Sequence, residues 1–157
     1  MNIEFKLAEK ADIKSLIEVQ NRSFKDDYIA YGECPAYNET EEAISRQIDN
    51  SIVYKILKDN EIVGDIIIRQ KENHNYYLRV ITVIPECQNL GIGQRALKFI
   101  EKAHPDAAQW DLITPFKSYR NHYFYEKMGY VKIDEYRQSD ILIMFRYKKV
   151  ITHMDGK

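Results

Sequence analysis

Three runs rich in β-branched and aromatic residues follow one another between positions 51 and 84: "SIVYKIL" (51–57), "EIVGDIIIRQ" (61–70) and "NYYLRVITVI" (75–84). Only a few polar residues separate them, and nothing else in the chain restricts its fold so strongly. Runs of this composition and length read as strands, and connections this short join antiparallel neighbours. Between the first two stands "KDNE", where Asp59-Asn60 suits a tight hairpin turn. The third run passes directly into "PECQNLGIGQRALKFI" (85–100), a glycine turn that opens an amphipathic helix. That helix is predicted over 93–103 with Ala96, Leu97, Ile100 and Ala103 inward, and Pro105 ends it. The strand "QWDLIT" (109–114) then completes a strand–helix–strand crossover.

The flanking segments extend the pattern. "IEFKLA" (3–8) alternates with period two, as a strand does, and "ADIKSLIEVQNRSF" places Ile13, Leu16, Ile17 and Phe24 on one helical face. Residues 24–39 show no period and read as a loop with a helical turn. A short helix follows, with Asn38 or Thr40 as its N-cap, Glu41 and Glu42 in its first turn, and Ala43, Ile44 and Ile48 inward. Near the C-terminus "YRNHYFYEKM" (119–128) is a helix closed by Gly129. "YVKIDEY" and "DILIMFRY" form a final hairpin.

The predicted order is β-α-α-β-β-β-α-β-α-β-β. It describes an α/β (α+β) domain with a mixed, mostly antiparallel central sheet of about seven strands and helices on both faces. It is not a doubly wound sheet. One domain over 1–150 is expected, with 151–157 as a C-terminal tail.

Composition narrows the function classes. The chain has 157 residues, 45% of them hydrophobic and 30% charged, with a formal net charge of -1. That balance disfavours a nucleic-acid binder working through bulk charge. No apolar run reaches the ~20 residues of a membrane helix, and "MNIEFKLAEKAD" lacks a signal-peptide core. Cys34 and Cys87 are far apart and form no ligand motif; two reduced thiols in a cytoplasmic protein are expected. His74, His104, His122 and His153 show no metal-binding spacing, so no metal site is expected.

The glycine turn carries chemistry. A strand entering a glycine-rich turn and then a helix exposes backbone N–H groups at a helix N-terminus, where an anion can bind. Gly91 and Gly93 would let the backbone approach a phosphate with no Cβ in the way. This is not a nucleotide P-loop, because Gln94-Arg95 stand where Lys-Ser/Thr is required.

The pattern Val83-x-Pro85-x-x-Gln88-x-x-Gly91-x-Gly93 before an amphipathic helix resembles the acetyl-CoA motif of the GNAT family of N-acetyltransferases, Gln/Arg-x-x-Gly-x-Gly/Ala. Independently, "FYEKMGY" (124–130) resembles that family's "FYEKLGF" helix-to-strand junction. The element order matches the family fold along nearly the whole chain.

The resemblance implies a mechanism. The strands ending near Val83 and spanning 109–114 would splay into a slot for the pantetheine arm of acetyl-CoA. Backbone groups of Ile81, Thr82 and Val83 would bind that arm. Backbone N–H groups from Gln88 through Gly93 (Gln88, Asn89, Leu90, Gly91, Ile92, Gly93), with Gln94 beside them, would hold the pyrophosphate. Tyr125 would protonate the leaving thiolate, since a phenol of pKa ~10 can share a proton with a thiolate. Where many members carry Asn, this chain has Ser118; Asn121 lies closer to Tyr125, and either reaches toward pantetheine. Lys117, Arg120 and Lys127 are candidates for the 3′-phosphate. The family's fourth-strand Glu falls on Tyr77, so Glu33, His74, His122 or a water chain remain as bases, and none is assigned.

The expected function is transfer of the acetyl group of acetyl-CoA directly to a primary amine in a ternary complex; no activated nucleophile suggests an acetyl-enzyme. The alternative is a non-catalytic acyl-CoA-binding or sensing domain of the same fold. Asp26, Asp27, Glu33, Glu39, Glu41, Glu42 and Asp49 outnumber Lys25 and Arg46 across 24–49, which suggests a cationic small-molecule or peptide amine. Neither nucleic acid nor membrane is an expected partner. The final hairpin and tail offer an edge for a homodimer.

Overall fold

The computed structural model describes residues 1–152; His153 and the rest of the expected tail lie outside the described residues. The strands are β1 (Ile3–Leu7), β2 (Ile52–Lys58), β3 (Glu61–Gln70), β4 (Asn75–Val83), β5 (Gln109–Pro115), β6 (Val131–Arg137) and β7 (Ile143–Val150). The helices are α1 (Ile13–Tyr31), α2 (Glu41–Asn50), α3 (Ile92–Ala103) and α4 (Tyr119–Lys127). All seven strands form one sheet in the order β1-β2-β3-β4-β5-β7-β6. Only the β4–β5 pair is parallel. This is the mixed, mostly antiparallel sheet expected from the sequence. No described helix is long and apolar enough to cross a membrane.

Local chemistry explains the boundaries. Asp59 and Asn60 adopt positive φ values of 50° and 70°, which makes the β2–β3 connection a two-residue turn. Thr40 caps α2, its Oγ1 accepting from the Ala43 N–H at 3.1 Å. The first half of the loop expected over 24–39 is helix, for α1 continues to Tyr31. No glycine or proline interrupts it before Gly32, which ends it in the left-handed region at φ 78°. Its last turns carry little burial, with Tyr28 and Ile29 exposed, and so show no apolar period.

The sheet separates two cores. On one face Ile66, Ile68, Tyr76 and Leu78 pack with Ile92, Leu97, Ile100, Trp110 and Leu112. On the other, Leu16 and Ile44 cover Val53, Ile67 and Val80. Each fully buried aliphatic side chain contributes roughly 1.5–3 kcal/mol. Ala103, expected inward, is exposed, because α3 turns that last position away from the sheet. The first two helices cover only the β1–β4 part of their face. Along the other edge, β6 is exposed over most of its length.

One irregularity in β4 sets the geometry that follows. Ile67 pairs with Val80 but Ile68 pairs with Leu78, so Arg79 is an extra residue, a β-bulge. Before it, Tyr76 and Leu78 face α3; after it, Val80 faces α1.

Candidate active site

β4 and β5 pair only through Asn75–Gln109, Tyr76–Trp110 and Tyr77–Asp111. Beyond Tyr77 the strands no longer pair, although β4 runs on to Val83 and β5 to Pro115. The result is a wedge-shaped gap in the middle of the sheet, in the place the sequence predicts a slot. Ile84 donates its N–H to the Val63 carbonyl at 2.9 Å, so β4 keeps its β3 partner on the other side. The Thr82 carbonyl likewise lies against β3: a Cβ on Gly64 would stand 2.0 Å from it. By strand alternation, Ile81 and Val83 rather than Thr82 turn backbone groups into the gap.

A buried polar cluster backs this edge. The Asp65 side chain accepts from Gln20 Nε2 at 2.5 Å and from Thr82 Oγ1 at 2.7 Å, while the Asp65 N–H donates to Thr82 Oγ1. Desolvation raises the Asp65 pKa to about 6, against the lowering effect of those two hydrogen bonds. Sequence reading missed this cluster, since a single Asp in a β-branched run carries no signal of its partners.

The glycine turn stands beside the gap. From Asn89 through Gln94 the backbone N–H groups donate to no acceptor among the described residues, and Arg95 makes the first helical bond, to the Gly91 carbonyl at 3.1 Å. These N–H groups open α3, where the helix dipole favours an anion. Asn89 and Gly91 hold positive φ values of 65° and 81°. Leu90 is exposed, Gln94 is half-buried, and Ile92 sends its side chain into the core.

Gln88 departs from expectation. Its N–H is already used, donating to the Pro85 carbonyl at 3.2 Å. Its side chain donates to the Val83 carbonyl at 3.0 Å and accepts from Arg120 at 2.7 Å. Gln88 therefore braces the turn. Arg120 also donates to Asn89 Oδ1, which places a guanidinium beside these N–H groups.

The two glycines differ in purpose. Apart from its own chain neighbours, no atom of the described residues lies within 4 Å of where a Gly91 Cβ would stand, so a phosphate has room there and the positive φ selects glycine. A Cβ on Gly93 would meet Phe124 Cζ at 3.1 Å, so that glycine admits an α4 side chain. Only the first fits the expectation of backbone opened toward phosphate.

Tyr125 is buried on α4, its ring 5.8 Å from Tyr130 and 5.2 Å from Phe124. Its hydroxyl has no hydrogen-bond partner among the described residues. Burial raises its pKa, and Tyr77 acts on it electrostatically in the same direction. The two phenols thus lie within electrostatic reach of each other. Asn121 Nδ2 donates to Thr114 on β5 at 3.3 Å, and Ser118 Oγ meets Tyr31 of α1 at 3.1 Å.

The base candidates are otherwise engaged. Glu33 accepts from Ser139, His74 stands exposed beside Asp106, and His122 contacts the Pro115 carbonyl at 2.9 Å. Lys117 and Lys127 are exposed, and Lys117 lies over the Phe116 ring. Two of the seven acids of the acidic segment are paired within the fold: Glu39 with Arg79 at 2.9 Å and Asp49 with Lys10 at 2.9 Å. Glu41 and Glu42 occupy the first turn of α2.

A parallel pair that opens beside an anion-binding helix N-terminus, within a seven-stranded mixed sheet, defines an acetyltransferase architecture. The chain belongs to the GNAT acetyltransferase family, whose domain model matches residues 49–132. An uncharacterized protein of Bacillus subtilis (strain 168), YrkN, is 31% identical over 141 residues, covering 84% of this chain and 75% of that one. Among solved structures, the PaiA N-acetyltransferase of Thermoplasma acidophilum in complex with coenzyme A superposes with a TM-score of 0.82 at 20% identity. That match covers 96% of this chain and all of the other. The Escherichia coli ribosomal-protein-S18-alanine N-acetyltransferase gives a TM-score of 0.78 at 15% identity, over 99% and 98% of the two chains.

Proposed function

We propose that this protein transfers the acetyl group of acetyl-CoA to a primary amine by direct attack in a ternary complex, residues 1–150 acting as one catalytic domain. The observation that carries this reading is the gap that opens after the Tyr77–Asp111 pair, with N–H groups from Asn89 to Gln94 unbonded among the described residues at one end and Tyr125 in the core that Ile81 and Val83 pack against. Neighbouring folds of known activity, one of them holding coenzyme A, support acetyl-CoA as the donor. Free Cys34 and Cys87 fit a cytoplasmic setting.

Each part has a role in this scheme. The Asn89–Gln94 turn and Arg120 hold the pyrophosphate, and the Ile81 and Val83 backbone holds the pantetheine arm. With Asn121 fixed on Thr114, the β5 edge supplies the opposite wall. The amine nitrogen attacks the thioester carbonyl carbon and the C–S bond breaks. Tyr125 gives its hydroxyl proton to the departing sulfur. The proton shed by the amine passes to water in the open groove, because Tyr77 stands where a carboxylate base would. Positioning and backbone electrostatics supply most of the rate.

Incubation with acetyl-CoA and a panel of amines, with thiol release followed, tests the reading. Thiol release together with an N-acetylated product is the expected result. Tight acetyl-CoA binding with no turnover on any amine would identify a sensing domain instead.

A further inference from the structure

On the sheet face turned away from α3 and α4, where α1 and α2 give no cover, lies an open groove of about 480 Å³. Arg69 and Lys71 border it at the end of β3, with Tyr77 from β4, Ile113 from β5, Arg146 from β7 and Tyr136 from β6. We propose that this groove seats the acceptor, and that the acceptor is a small amine carrying an oxyanion group, a free amino acid being the simplest case. This inference rests on the acetyltransferase reading and adds the chemical class of the acceptor.

Charge is the first argument. The residues lining the groove include three cations and no acid. Two have acidic neighbours: Asp111 lies 4.0 Å from Lys71, and Asp134 lies 3.0 Å from Arg146 Nε. Among the described residues the terminal nitrogens of Arg146 hold no hydrogen bond, and its guanidinium rests 4.2 Å over the Tyr136 ring. Arg69 has neither a hydrogen bond nor an ion pair among the described residues. Behind the lining, at the bulge, Arg79 gives one terminal nitrogen to Glu39, while its buried Nη1 has no hydrogen-bond partner among the described residues. A planar fork of N–H donors without an acceptor fits a carboxylate or a phosphate.

Position is the second argument. Arg69, Arg79 and Arg146, from three strands, all act electrostatically on the Tyr77 phenol, and Tyr77 in turn acts on Tyr125. Tyr77 belongs to the last β4–β5 pair before the gap. A molecule with its anionic end on Arg69 and Arg146 and its apolar body on Ile113 and Tyr136 would present its amine where the gap opens. None of the acids between residues 24 and 49 lines this groove, and Glu39 among them is paired with Arg79.

The test compares leucine, leucinamide and isoamylamine as acceptors, which differ only at the carboxyl group. O-phosphoethanolamine against ethanolamine separates phosphate from carboxylate. We expect kcat/KM for an anionic member to exceed that of its neutral counterpart by at least about tenfold, the range of one charge-assisted hydrogen bond. Arg69→Gln should collapse that ratio, Arg69→Lys should keep part of it, and Lys98→Gln on α3 should leave it unchanged. Binding of N-acetylleucine against N-acetylleucinamide, measured by calorimetry without donor, asks the same question independently of turnover. Turnover with no preference for the anionic members, or a ratio indifferent to Arg69→Gln, overturns the acceptor assignment alone. Preference in the calorimetric arm without thiol release from any amine overturns the transferase reading and leaves an anion-binding groove.

Discussion

Tyr77 and Asp111 form the final pair between β4 and β5, and the sheet opens immediately beyond them. Tyr77 faces the groove, while the buried Tyr125 approaches from α4 on the opposite side.

The Tyr125 assignment predicts a kinetic result. Tyr125→Phe keeps the ring that packs on Tyr130 and Phe124, so the fold should survive. Loss of a positioned acid costs ~10²–10⁴-fold in rate, and kcat should fall at least about tenfold with water substituting. CoA affinity, measured by calorimetry, should hardly change. Tyr123→Phe is the control, for Tyr123 is 72% exposed. Full kcat in Tyr125→Phe would mean that another group delivers the proton.

Gly91 and Gly93 should respond differently to Ala. Gly91→Ala forces a side chain onto φ 81°, costing about 1–2 kcal/mol whatever Phe124 does. Gly93→Ala presses on Phe124, and overpacking costs roughly 1–3 kcal/mol. In a Phe124→Leu background the Gly93 penalty should shrink and the Gly91 penalty should not. Denaturant unfolding of the two double-mutant cycles checks this, and equal coupling at both glycines would contradict it.

Asp65 gives a pH prediction. Its folded pKa, about 6, lies above the unfolded carboxylate value. Its stabilising contribution is therefore complete below the unfolded pKa, near 4, and is lost as pH rises through about 6. Asp65→Asn removes this dependence, keeps one oxygen to accept from Thr82 Oγ1, and offers an N–H donor to Gln20 Oε1, which is buried without a partner among the described residues. The variant should gain up to about 3 kcal/mol relative to the parent above pH 6. Thermal melts between pH 4 and 8 decide it; parallel pH profiles for the two proteins would show that Asp65 is not the group responsible.

Arg120→Gln should weaken CoA binding about tenfold or more and flatten its dependence on salt, as loss of a cation at a phosphate does. The measurement is calorimetry at low and high ionic strength. An unchanged affinity would move the pyrophosphate away from the Gln88–Asn89 turn.

Much of this architecture was legible because it is locally encoded. The three adjacent strands, the Asp59-Asn60 turn, the cap at Thr40 and the glycine turn all follow from neighbouring residues. The last turns of α1 were not legible, since Tyr28 and Ile29 project away from the core and leave no apolar stripe. Gly93 was read as an opening for phosphate because its true neighbour, Phe124, is distant in sequence. The cationic groove was invisible for the same reason: Arg69, Tyr77, Ile113 and Arg146 come from four strands and meet only when the sheet forms.

The bulge at Arg79 gives β4 a change of parity. Upstream, even-numbered residues look toward α3 and odd ones toward the groove; downstream, Val80 and Thr82 look toward α1 while Ile81 and Val83 look the other way. One continuous segment thereby sends Tyr77 to one compartment and Ile81 to the other, without a loop between them. Removing a single residue there would restore simple alternation. With Arg79 gone, Leu78 and Val80 would be consecutive and still face α3 and α1, so that deletion would cost the bulge and the Arg79–Glu39 pair yet leave Tyr77, Val80 and Ile81 in their present compartments.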